Sequence, residues 1–248
     1  MKNNRDAPPE RSIAAFNADT EAHGGYIYTS VDRWSSRYAS GRQNDEMIRM
    51  LVDHVDPSIR IADIGCGDGT FTLDIAQRFR PIAIRGIEPA ANAIAAAKGR
   101  ISANLSCSVC FEVGDIYTLR SQGEALAIAR GVLHHLDRPR TAIAQLAKHF
   151  TFVLTLEPNG YNPVTKLIEK TSAYHREHDE KSYWPPSLNR WFEQEGFRVV
   201  CQKFFCIVPY FCPTPAARLL KLVEPVVEWL PGVRQVCCGT NLALYKRS

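Results

Sequence analysis

The chain has 248 residues, 45% of them hydrophobic and 23% charged, proportions that exclude a disordered, collagen-like or fibrous protein and leave material for one large core. Thirty Lys and Arg against 26 Asp and Glu leave a net charge of +4, too small to mark a nucleic-acid or membrane partner by bulk electrostatics.

The first residues, MKNNRDAPPERS, are polar and lack the apolar stretch of a secretory signal, so a cytoplasmic location is expected. Residues 1–42, with Tyr26, Tyr28, Trp34 and Tyr38, precede the regular part of the chain and are read as an N-terminal cover segment; 43–248 are read as a single α/β domain. Apolar and β-branched runs at 60–65, 83–88, 107–113, 125–129, 152–157, 197–205 and 238–246 predict seven strands. Helical patterning occupies 70–79, 90–101, 138–150 and 187–197. This alternation predicts right-handed crossovers and a mostly parallel, doubly wound sheet. A Pro-punctuated segment separates the last two strands, consistent with a final strand that runs antiparallel. The stretch 158–187 is longer than usual for a strand-to-helix connection and is read as a lid insertion at the site end of the sheet. Its charged run, Arg176 to Lys181, is read as a solvated face.

No window holds the apolar residues needed to cross a bilayer, and the most hydrophobic stretch of the tail is broken by Arg218, Lys221, Glu224 and Glu228. The eight cysteines lie in apolar runs and are expected to be reduced, buried small hydrophobes. Cys107 and Cys110 have metal-ligand spacing, but on a strand they point to opposite faces and no second pair completes a set, so no metal is expected.

Chemistry concentrates in Asp63-Ile64-Gly65-Cys66-Gly67-Asp68-Gly69-Thr70, between the first strand and the first helical segment. Glycines at alternate positions let the chain turn sharply and bring a ligand against bare main chain at a helix N-terminus. A dinucleotide fingerprint would require a third glycine where Thr70 stands, and no Gly-Lys-Ser/Thr ending marks a phosphate loop. The second strand ends in Glu88, 23 residues beyond Gly65, where a carboxylate can accept both hydroxyls of an unphosphorylated ribose. After the third strand, Asp115 can accept from an adenine amino group with Ile116 against the purine; the alternative for Asp115 is a helix cap. Arg130-Gly131-Val132-Leu133-His134-His135-Leu136 follows the fourth strand.

These four stations, in this order over roughly residues 43–205, resemble the class I S-adenosylmethionine-dependent methyltransferases. The resemblance implies a Rossmann-like seven-stranded sheet of order 3-2-1-4-5-7-6, with S-adenosylmethionine as cofactor. It implies that Asp63, Gly65, Gly67 and Gly69 hold the methionine portion, that Glu88 holds the ribose, and that Asp115 and Ile116 hold the adenine. Backbone around Arg130 and Gly131 would approach the methionine amine. From the cover, Tyr26, Trp34, Arg37 and Tyr38 either close over the cofactor or pack on the sheet edge. One departure is Glu124-Ala125-Leu126-Ala127, where the family often has an Asp beginning the fourth strand, which leaves that strand's register open.

A sulfonium is already electrophilic, so the protein has chiefly to align an acceptor and exclude water. His135 is the expected general base. His134 ranks second, because adjacent residues leaving a strand point in different directions and one of them faces the acceptor. Either ring could instead be packed or capping. Glu157, ending the fifth strand, either pairs with a cationic acceptor or bonds to loop backbone. The segment ARGVLHHL lacks the Asn/Asp-Pro-Pro-aromatic motif of base-amino methyltransferases, so a small-molecule acceptor, with an apolar part if the tail lines its pocket, is expected rather than nucleic acid. The alternatives for the tail are a lipid surface and ordinary packing beside the sheet. Two rivals stand beside methyl transfer: attack at the methionine side chain (aminocarboxypropyl transfer or cyclisation) with methylthioadenosine released, and a nonenzymatic cofactor-binding subunit.

Overall fold

Seven strands form one sheet in the computed structural model of the chain, which describes residues 33–102, 104–171 and 181–248. They are β1 (Arg60–Ile64), β2 (Ala83–Glu88), β3 (Ser108–Val113), β4 (Leu126–Arg130), β5 (Phe152–Pro158), β6 (Phe197–Phe205) and β7 (Thr240–Arg247). The order is β3-β2-β1-β4-β5-β7-β6. Strands β1 to β5 pair in parallel, and β7 runs antiparallel to both β5 and β6. The helices are α1 (Trp34–His54), α2 (Thr70–Arg78), α3 (Ala91–Gly99), α4 (Pro139–His149), α5 (Pro163–Thr171), α6 (Pro185–Gln194), α7 (Thr214–Trp229) and α8 (Val233–Cys237), with a 3₁₀ turn at Leu133–His135.

The central strands are apolar on both sides because both sides are covered. Ile61, Leu126, Leu154 and Leu244 face a core completed by Met47 and Leu51 of α1 and Ile75 of α2. Their chain neighbours Ala62, Ala127, Val153 and Tyr245 face the opposite core with Ile143 and Leu146 of α4 and Leu188 and Phe192 of α6. Tyr245 stacks on Phe192 with ring centroids 3.9 Å apart. Glu124 precedes β4 as a buried residue, and its carboxylate accepts from Arg85 Nε of β2 at 2.6 Å. The register Ile61↔Leu126 through Ile64↔Ala129 sets β4 against β1.

Three features bear on the sequence-based expectations. The helix α1 runs unbroken through residue 42, where a boundary between cover and domain was expected. It is fastened to the far end of the chain: Arg42 Nη2 donates to both carboxylate oxygens of Glu228 of α7 at 2.8 and 2.9 Å, and the guanidinium pairs with Glu224 at 3.3 Å. Within the long post-β5 segment lies α5, whose N-terminus is capped by Asn162 Oδ1, accepting from Val164 N at 2.8 Å; the charged run at 176–180 falls outside the described residues. The expectation of buried cysteines fails for Cys110 and Cys237, which are exposed. Cys110 stands on β3, an edge strand paired only with β2, and Cys237 ends the short α8. All eight are free thiols.

Candidate functional site

The carboxyl ends of β1, β2, β4 and β5 open on one edge of the sheet, and the strand order reverses between β1 and β4. Such a switch point leaves a crevice, because the connections on its two sides leave in opposite directions. The glycine loop leaves β1 here and doubles back over β2: the amides of Gly65 and Cys66 both donate to Ile87 O, at 2.7 and 3.2 Å. Gly65, Gly67 and Gly69 have φ of 68°, 55° and 76°, left-handed values that L side chains rarely adopt. At Gly69 space adds a second constraint, since a Cβ there would stand 2.7 Å from the Phe111 ring and 2.9 Å from Ala97.

The loop meets two buried carboxylates. Glu88 accepts from Gly67 N at 3.2 Å and Ala90 N at 3.1 Å, so the strand-tip acid and the loop backbone already face one another. Asp63 accepts from Thr72 Oγ1 at 2.5 Å. Burial pushes its carboxyl up to about 6, against the opposing pull of the Thr72 hydroxyl and the Arg130 guanidinium. Arg130, at the tip of β4, lies 5.1 Å from the Phe71 ring centroid and donates to Gln43 Oε1 at 3.2 Å, while its buried Nε has no partner. An acid held partly toward its neutral form and an arginine donor left unpaired offer opposite charges to a zwitterionic amino-acid group.

On the β3 side, Asp115 Oδ1 accepts from Tyr117 N at 2.8 Å. It therefore closes a turn and caps no helix; burial raises its carboxyl. Ile116 is buried in the core beside Ile87 and Leu119.

On the other side of the crevice the carboxylate of Glu157, 1% exposed, is the hub. Its Oε1 accepts from Val132 N at 3.2 Å and Leu133 N at 2.9 Å; its Oε2 accepts from His134 N at 3.2 Å and lies 2.7 Å from His134 Nδ1. This is the loop-backbone alternative, with an imidazole added. A proton on Nδ1, directed at the carboxylate, leaves the lone pair on Nε2. The His134 ring also flanks the backbone after β4, its Cε1 standing 3.5 Å from where a Cβ would project at Gly131. His135 is half-buried, with its ring centroid 4.0 Å from that of His134. The carboxylate partner thus belongs to His134, the histidine that sequence reasoning ranks second.

Of the cover residues, Tyr26 lies outside the described residues. Trp34 and Tyr38 stack at 5.1 Å and pack with Val208, Cys212 and Ala217; Tyr38 donates to Glu224 of α7 at 2.6 Å. Their described contacts therefore face α7 and the turn before it, and Arg37 rises from the same turn of α1. The α1 residue that reaches the crevice is Gln43, accepting from Arg130 and, at 2.5 Å, from the Tyr210 hydroxyl. Neither Gln43 nor Tyr210 carries a sequence signal beyond Gln43 sharing the buried face of α1 with Ala39 and Met47. Among the described residues no group of three or more His, Cys, Asp or Glu is placed to hold a metal, and no helix is long and apolar enough to cross a membrane.

Residues 61–151 match the family model described as a methyltransferase domain. Trans-aconitate 2-methyltransferase of Deinococcus radiodurans is 31% identical over 120 residues, which make up 48% of this chain and 42% of that protein, so the match spans less than half of the relative. Among solved structures, magnesium protoporphyrin IX methyltransferase of Synechocystis PCC 6803 with bound S-adenosylmethionine superposes at a TM-score of 0.67, with 12% identity, over 99% of this chain and 100% of that one. The (4+2)-cyclase SpnF superposes at 0.62, with 19% identity, over 97% of each chain. At such identities the likeness is one of fold.

Proposed function

We propose that the protein, whose residues 61–151 match the methyltransferase-domain family model, is a class I methyltransferase that transfers a methyl group from S-adenosylmethionine to a small-molecule acceptor. The observation that carries the reading is the convergence, at the β1/β4 switch point, of the glycine loop, the Glu88 carboxylate and the opposed Asp63 and Arg130. Loop 65–69 and Asp63 hold the methionine portion, with Arg130 Nε free for its carboxylate; Glu88 takes the ribose, and Asp115 beside Ile116 takes the adenine. When bound, the sulfonium supplies an electrophilic methyl group. The chain's part is to orient the acceptor, exclude water and take up a proton. His134 is the proton acceptor in this reading, with Glu157 as the positioning residue that fixes its tautomer. The sequence ARGVLHHL after β4 supports a small molecule over a nucleic-acid base.

Replacing Glu88 by Ala is expected to weaken S-adenosylmethionine binding by about 1.5–3 kcal/mol, the scale for losing hydrogen bonds to a charged group; calorimetric titration of the folded variant reads this directly, and unchanged affinity would remove Glu88 from the site. Asp63 adds a pH dependence. Its carboxyl titrates near about 6 in the free protein, and a cationic amine binds the ionised form. Affinity is therefore expected to be flat above about pH 6 and to fall below it, approaching tenfold per pH unit. Titrations between pH 5 and 8 check this, and a Kd that stays level to pH 5 would detach the amine from Asp63.

The same fold carries a (4+2)-cyclase, which keeps chemistry other than methyl transfer as a second reading. Mass spectrometry of the coproduct, after incubation with S-adenosylmethionine and a small-molecule cell extract, separates the readings. S-adenosylhomocysteine supports methyl transfer, methylthioadenosine supports attack at the side chain, and neither product supports a chain that binds the cofactor without consuming it, as a nonenzymatic subunit or a cycloaddition catalyst would.

A further inference from the structure

The acidic residues of α7 point inward. Glu224, 1% exposed, accepts from Tyr38 Oη and from Ile207 N at 2.9 Å; Glu228 accepts from Arg42 and from Cys206 N at 2.9 Å. Four residues apart, they share the face of α7 that meets α1. The opposite face is apolar and open. Leu219 is 64% exposed, Leu222 75%, Val226 60% and Trp229 76%, at three- and four-residue spacings that put them in one stripe, with Val223 beside them. The stripe continues into α8 through Val233 and Val236. Pro225, inside α7, is also exposed, so the amide it lacks falls on the outer side of the helix. The cations are distributed differently from the acids. Arg218 and Lys221 are exposed on α7 near the Trp34 ring, and Arg234 is half-exposed on α8. With both acids of the segment 206–239 consumed by α1 and the turn at 206–207, the surface presented by α7 and α8 is apolar with a wholly cationic border.

We infer that the outer face of α7 and α8 seats the protein on an anionic lipid surface. An interfacial helix binds by burying its apolar stripe at the boundary between headgroups and acyl chains, while flanking Lys and Arg meet lipid phosphates and Trp sits at the headgroup level. Charge decides against a second copy of the chain, since a two-fold contact would set this patch against itself, and its charged residues, Arg218, Lys221 and Arg234, are all cationic with no acid on the patch to receive them. Direction decides against an acceptor pocket, because the stripe lies on the side of α7 away from α1 and hence away from Gln43 and the crevice. This inference is independent of what the crevice binds.

The test is cosedimentation of the full-length chain with vesicles of phosphatidylcholine containing about 30% phosphatidylglycerol, against vesicles of phosphatidylcholine alone. Partitioning is expected to be about tenfold or more stronger on the anionic vesicles and to weaken as salt rises from 50 to 500 mM. Leu222→Glu and Trp229→Ser, both at well-exposed positions, should each lower partitioning about tenfold while leaving the circular dichroism and thermal midpoint unchanged. Val52→Glu, at a 60% exposed position on α1, should leave partitioning unchanged. Absence of binding, equal binding to both vesicles, or a Val52→Glu loss matching that of Leu222→Glu would overturn the inference. So would a dimer in light scattering that Leu222→Glu dissociates, or a cover formed by residues 1–32, detected as vesicle binding that appears only when they are removed.

Discussion

Replacing Gly67 by Val is expected to abolish S-adenosylmethionine binding, with Kd rising more than about a hundredfold, a loss above ~2.7 kcal/mol, in a chain that still folds. Gly67 has φ of 55°, and a β-branched residue reaches that region only at a cost of order 1–2 kcal/mol or more. The loop can relieve the strain by rotating the adjoining peptides. That movement takes the Gly67 amide away from Glu88 Oε2 and so disturbs the turn and the strand-tip carboxylate together. The sheet beneath loses no core contact, which is why folding should survive. Gly99→Ala supplies the control, since a Cβ at Gly99, the last residue of α3, meets nothing within 4 Å. Calorimetric titration of the two variants, with far-ultraviolet circular dichroism of each, checks the expectation; a Gly67→Val protein that bound normally would take the loop out of the site.

The second large effect is expected at His134. On the true acceptor, His134→Ala should lower kcat about 10²–10⁴-fold, the usual contribution of a positioned base, with little change in cofactor affinity, whereas His135→Ala should cost less than about tenfold. Protonation of the imidazole removes the lone pair that accepts the acceptor's proton. The wild-type kcat at saturating cofactor should therefore fall on the acid side, and that limb should disappear in His134→Ala. Measurement at saturating cofactor separates this limb from the loss of affinity attributed to Asp63. Glu157→Gln should also lower kcat, because an amide replaces one of two oxygens that together accept from three backbone amides and the His134 ring. A larger loss in His135→Ala than in His134→Ala would reverse the assignment, and full turnover in both would leave alignment alone as sufficient.

That assignment shows where sequence reasoning reaches and where it stops. His134, His135 and Glu157 were all legible as residues at strand ends. Their ranking rested on side chains alternating as they leave a strand, but Leu133–His135 is a 3₁₀ turn, in which successive side chains step by roughly a third of a circle. The partner that selects His134 stands 23 residues further on. The sheet was legible nearly whole, because strands covered on both sides are continuously apolar and the turn after β1, with φ positive at Gly65, Gly67 and Gly69, is written in glycine. The helix α7 was not. Pro213, Pro215 and Pro225 read as breakers, yet Pro215 sits in the first turn, where no amide is needed, and Pro225 faces outward. Nor could composition disclose Gln43 beside Arg130, separated by 87 residues and brought together only by packing. The small net charge likewise concealed a segregated surface, since Glu224 and Glu228 count in the sum but not on the outer face of α7.

The central claim is that the crevice between β1 and β4 holds S-adenosylmethionine on the glycine loop and Glu88. Calorimetric titration of the full-length protein with S-adenosylhomocysteine, alongside NAD as the competing nucleoside ligand, tests it most directly. A saturable one-to-one isotherm for S-adenosylhomocysteine that Glu88→Ala weakens, with no isotherm for NAD, is the predicted result; NAD binding in place of S-adenosylhomocysteine, or heat from neither, would contradict it.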